Sequence, residues 1–120
     1  MHAMTELAER RNIIIEKISE IKSMRKGVLN SQYKDVSHKN GDIVQKGPYY
    51  VLTKKGNNGK TISQSISAKD AEHVQVEVDN YKLFRQLADE YVSVCEEISL
   101  FQVESQDEAK KTKLFRGVRA

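Results

Sequence analysis

The stretch GPYYVLTKKGNNGKTISQSI, residues 47–66, decides how the rest of the chain is read. Its first part, PYYVLTKK over 48–55, is rich in aromatic and β-branched residues, the composition of a strand. GNNG over 56–59 is a turn cluster whose Asn-Asn-Gly run suits backbone positions of positive φ. KTISQSI over 60–66 then alternates Ile62, Gln64 and Ile66 with Thr61, Ser63 and Ser65, the period of two of a half-buried strand. The two strands are predicted to form a hairpin with one face against apolar packing and the other in water. Pro48 fits at the strand entry, because the first residue of a strand need not donate to the ladder.

Upstream, VLNSQYKDV over 28–36 reads as a further short strand and HKNGD over 38–42 as a polar turn, which brings the sheet to three antiparallel strands. Before it, Met4, Leu7, Arg11, Ile14, Ile18 and Ile21 recur at steps of three and four, with Ile13 and Ile15 widening the stripe. This predicts a helix over 4–25, with Glu6 and Glu9 in its first turn, Lys22, Arg25 and Lys26 at its end, and Gly27 as its stop. Downstream, SAKD over 67–70 resembles a capping box with Asp in place of Glu. Ala71, Val74, Val78, Tyr81, Phe84, Ala88, Tyr91, Cys95 and Ile98 then mark one helical stripe. A helix over 68–104 would be on the order of 55 Å long, so its far half needs a partner, either the first helix or a second chain. The expected fold class is α+β: an N-terminal helix, a small three-stranded antiparallel sheet over 28–66, and a long C-terminal helix pairing with the first. Residues 1–104 are read as one domain and 105–120 as a flexible basic tail.

Charge is unevenly spread. The net charge of +3 over 120 residues conceals a block at 22–69 with ten basic residues against two acids, flanked by segments of net −1 and −4. Such a cationic block is the electrostatic footprint of a protein that meets a polyanion, nucleic acid above all, although a solvated basic surface has the same composition. A single cysteine, Cys95, excludes an internal disulfide and a cysteine zinc cage. The start MHAMTELAERR lacks the apolar run of a signal peptide and no apolar stretch is long enough to span a bilayer, so a cytoplasmic location without membrane contact is expected.

The order helix, KGVLNSQY (26–33), polar loop, GPYYVLTKKGNNGKT (47–61), then a long helix containing NYKLFRQL (80–87) resembles an uncharacterised family of short prokaryotic proteins encoded beside, or fused to, transposases. The likeness covers about residues 25–98 and is carried by the GPYY strand and the GKT turn. Many members have a cysteine-rich loop before GPYY; here that loop is KDVSHKNGDIVQK, 34–46, without cysteine, so no metal or redox role of the loop carries over. The resemblance implies a mobile-DNA setting. A looser likeness is to the arm-binding domains of tyrosine recombinases, which show a similar order of elements and lay a sheet into a DNA groove; it is an analogy from element order.

The candidate contacts follow. Lys54, Lys55 and Lys60 flank Asn57 and Asn58 at the hairpin tip, with Lys46 near the strand start; lysines neutralise phosphates and asparagines reach base edges or phosphate oxygens. Arg25, Lys26 and Lys34 extend this patch if the first strand pairs beside the hairpin. The same residues are also ordinary in a solvated turn. Tyr49 and Tyr50 must point to opposite faces, one into the core and one free to stack on a base or to cover a junction. No metal site, cofactor, small-molecule substrate or catalytic set is expected: His2, His38 and His73 are scattered, Asp35 and Asp42 lack a third acid, and Cys95 falls on an apolar stripe. Gly56, Gly59, Lys60 and Thr61 make G-x-x-G-K-T, two residues short of a phosphate loop. The expectation is a non-catalytic protein binding nucleic acid, duplex DNA first, as an accessory of a mobile element, with a homodimer through the helices as a second partner. The alternative is a protein-interaction module working through its helical hairpin, the basic sheet serving only as a solvated surface. A regulatory or antitoxin-like half of a two-gene operon is a remoter alternative.

Overall fold

A computed structural model describes the side chains of residues 3–106. The elements are α1 (His2–Ser19), β1 (Val28–Ser37), β2 (Ile43–Lys55), β3 (Thr61–Ile66) and α2 (Ala68–Arg119), the last part of α2 lying outside the described residues. The strands form one antiparallel sheet in the order β1-β2-β3. The fold class is α+β, with the C-terminal helix packing on the first. By contacts the chain divides into two units, one of residues Met1–Glu20 with Phe84–Ala120 and one of Ile21–Leu83.

In the helical unit Leu7 and Ile14, seven apart on α1, are buried, and so are Leu87, Val94 and Ile98 on α2. Spacings of seven and four build a seam of the coiled-coil type. Arg10 lies 3.7 Å from Glu97, and Met4 shares a hollow with Gln102 and Ser105, so the helices run antiparallel. Two expectations are corrected. The apolar seam is narrower than expected, since Ile13 and Ile15 are exposed. Leu87 and Val94 are buried where Ala88 and Cys95 were expected, and the latter two are only half-buried. At adjacent helical positions the deeper one goes to the side chain that fills it, and Leu87 is larger than Ala88.

The sheet unit is built on the central strand. Leu52 of β2 packs with Val74 and Val78 of α2, and Leu29 and Ile66 from the flanking strands close over them. Because Leu29, Leu52 and Gln64 stand opposite one another, the helix-facing side also carries Tyr50, Lys54, Ile62 and Ile66. The other side, with Val28, Asn30, Tyr49, Val51, Thr53 and Lys55, faces away from α2.

Both hairpin turns have one design. His38 N–H donates to Asp42 O and Gly41 N–H to His38 O, just as Gly56 N–H donates to Lys60 O and Gly59 N–H to Gly56 O. Gly41 (φ 90°) and Gly59 (φ 80°) take the left-handed position, while Asn57 and Asn58 do not. Asn40 and Asn58 instead accept, through Oδ1, the N–H of the residue two ahead. This is a type I turn followed by a left-handed glycine, with an Asx turn added.

Other boundaries differ from expectation. Helix α1 begins at His2, so Glu6 and Glu9 lie beyond its first turn, and it ends at Ser19 instead of 25. Residues 21–26 have no regular secondary structure: Arg25 N–H, which a helix over 4–25 would direct to Ile21 O, donates to Glu77 O, and Asn80 Nδ2 donates to Ser23 O. The loop expected at 34–46 is instead the far part of a hairpin, with β2 starting at Ile43. Pro48 thus lies inside β2, at an irregularity where Gln32 faces Tyr49 but Lys34 faces Lys46. An extra residue on β2 leaves the imino nitrogen with no ladder bond to make. Helix α2 continues through Ser105 and Gln106, past 104, and the tail expected over 105–120 lies from residue 107 onward outside the described residues.

Leu52→Ala should lower stability by about 2–5 kcal/mol in denaturant unfolding, since it empties the centre of this core. Ile62→Ala, at a site that is 47% exposed, should cost far less. Equal losses at the two sites would contradict the assignment of the core.

Candidate nucleic-acid interface

The nine residues singled out from sequence fall into three places. Arg25 and Lys26 are held by α2: the Arg25 guanidinium lies 3.2 Å from the buried Glu77 carboxylate, and the Lys26 ammonium lies 5.9 Å from the Tyr81 ring centre. Glu77 is the one buried charged side chain among the described residues, and His73 Nε2 also lies 3.4 Å from its Oε1. That oxygen accepts no hydrogen bond of good geometry, so the contact with Arg25 is one of charge. A buried carboxylate needs such a neighbour, which makes Arg25 a clamp between the strand entry and the helix.

Lys54, Lys55, Asn57, Asn58 and Lys60 surround the β2–β3 turn. Lys54 and Lys55 are neighbours on a strand and project to opposite sides: Lys54 shares the side of Leu52, Lys55 the open side. The single basic face expected from sequence is therefore divided. Asn58 is occupied by its bond to the Lys60 N–H, and Asn57 is exposed.

Lys34 and Lys46 lie further along the sheet, directly opposite each other on β1 and β2. The Lys34 ammonium lies 5.1 Å from the Tyr49 ring centre, which places Lys34, and with it Lys46, on the open side. Tyr49 is thus the free aromatic and Tyr50 the half-buried one. Lys46 and Lys55 are nine residues apart on β2, a separation of roughly 25–30 Å. Among the described residues, none of Lys34, Lys46, Lys55 and Lys60 belongs to an ion pair with Asp or Glu. Like charges set opposite each other across two strands cost stability, so this arrangement leaves positive potential unneutralised.

The structure adds residues not singled out from sequence. Gln32 sits opposite Tyr49, and Val36 opposite Val44, in the same strand pair as Lys34 and Lys46. Their common side follows from alternation, but only once the irregularity at Pro48 is known. The division between Lys54 and Lys55 was legible in the period-two rule alone. Among the described residues no group of three or more His, Cys, Asp or Glu comes together as a metal site.

Arg25→Met should lower stability by about 2–3 kcal/mol, because it strands a buried carboxylate. Replacing Glu77 by Met as well should return part of that loss, a coupling measurable in a double-mutant cycle. Additive losses would show that the two side chains do not act as a pair.

No family model, curated protein or solved structure matches this chain.

Proposed function

We propose that this protein is a non-catalytic nucleic-acid-binding protein, acting on duplex DNA through the open side of its sheet. The observation that carries this reading is the pair Lys34 and Lys46, placed opposite each other on an exposed strand pair with no acid to neutralise either. Phosphate oxygens relieve that repulsion, and the counterions they release drive binding. Lys55 extends the positive side toward the β2–β3 turn, whereas Lys60, opposite Gly56 at the turn, lies on the side of Lys54 and Ile62. Tyr49, beside Lys34, offers a ring edge to the same surface. Arg25 and Lys26 are assigned to holding the fold, and Lys54, on the helix-facing side, is left out of the interface. The resemblance of GPYY and GKT to transposase-associated proteins favours an accessory role in a mobile element.

A second reading has its own support. Val92, Leu100 and Val103 of the helical unit are about half or more exposed, which suits a protein partner, including a second copy of the chain. Loss of a DNA complex on replacing Lys34 and Lys46, with no loss on replacing Val92, Leu100 and Val103, separates the first reading from the second.

The first reading predicts a log–log dependence of affinity on salt with a slope of about −3 for the three open-side lysines, Lys34, Lys46 and Lys55. Replacing Lys34 and Lys46 with Ala should flatten it by about 2, whereas Lys54→Ala should leave it in place. Absence of binding at low salt, or an equal effect of Lys54 and Lys55, would refute the assignment.

A further inference from the structure

Beyond Tyr50↔Ile66, the last pair between β2 and β3, strand β2 has only β1 as a neighbour. From Gln32↔Tyr49 to Ser37↔Ile43 the sheet is a ribbon of two strands, about 17 Å long. Over residues 32–49 all side chains are exposed except the half-covered Val36 and Pro48; Tyr33 is 58% and Ile43 68% exposed. A two-stranded ribbon bare on both sides is marginally stable in water. The geometry points to this ribbon as an element that enters the major groove of duplex DNA, an inference that rests on the nucleic-acid reading above and adds where and how the duplex is met.

Width supports the major groove. Two strands about 4.8 Å apart, with their side chains, fit a groove about 12 Å wide, whereas the minor groove, about 6 Å wide, is too narrow. Length agrees, since 17 Å of ribbon covers about five base pairs at 3.4 Å each. The chemistry of the open side is that of a base-reading surface. Gln32 offers a donor and acceptor to adenine N6 and N7, and Val36 and Val44 offer apolar contact to thymine methyls, while the longer Lys34 and Lys46 side chains reach the phosphates that wall the groove. The charge complements the partner, because the lysines opposed across the ribbon have no acid neighbour. Both strands are anchored at their base by Leu29 and Leu52, which sit over α2.

The test uses the full chain and two duplexes of one sequence. One is unmodified; in the other every cytosine is glucosylated hydroxymethylcytosine, which fills the major groove and leaves every phosphate in place. The ribbon in the major groove predicts affinity for the glucosylated duplex at least about tenfold weaker. It also predicts no displacement by netropsin, a minor-groove ligand. Equal affinity for the two duplexes, displacement by netropsin, or equal affinity for double-stranded RNA, whose major groove is deep and narrow, overturns the groove assignment and leaves the phosphate-binding side intact. Failure to bind either DNA duplex at low salt overturns the nucleic-acid reading itself, and this inference with it.

Discussion

Leu52, at the middle of the central strand, sits on Val74 and Val78 of α2 with almost no exposed surface, and the sheet unit is arranged around that contact. Its burial sets which side of β2 faces the helix, and strand pairing passes this choice to β1 through Leu29 and to β3 through Gln64. Because side chains alternate, a slip of one residue would exchange the two sides and put Lys55 and Tyr49 against the helix. One apolar contact thus decides which lysines are free to meet a polyanion and which are not.

The second constraint is the buried charge of Glu77. It draws Arg25 to the helix by side chain and main chain together, and so takes residues 21–26 out of the helical path that their apolar spacing suggested. This pairing need not be a large net source of stability, since both groups give up solvation to form it. Its effect is on geometry: it fixes where the chain enters β1. Arg25 thereby becomes part of the scaffold, and the interface proposed above falls to lysines farther along the strands.

The two-stranded ribbon trades stability for charge. Lys34 opposite Lys46 is unfavourable on a bare ribbon, and the apolar residues around them, Tyr33, Ile43 and Val44, are left in water. Exposed edges and unpaired strands are features that monomeric proteins usually cover. Their persistence here, on a stretch that the core leaves free, supports the proposal that this stretch is a binding surface. Proteins keep such locally unfavourable arrangements where function requires them.

The amino-acid sequence by itself determined the elements and their order. Period two over 60–66 marked a strand, steps of three and four marked both helices, and KNGD and NNGK marked two turns that close in the same manner, each by a left-handed glycine and an Asx bond. These are local properties, set by torsional preference and by which side chains tolerate water. Tertiary structure alone decided the rest: that α1 stops at Ser19, that Leu87 and Val94 form the seam in place of Ala88 and Cys95, and that Lys34 meets Lys46 across an irregularity at Pro48. Each depends on a partner distant in the chain, a carboxylate 52 residues away from Arg25 or a strand whose register shifts by one. Periodicity carries no record of such partners, because it reports which side of an element is apolar and not what that side will meet.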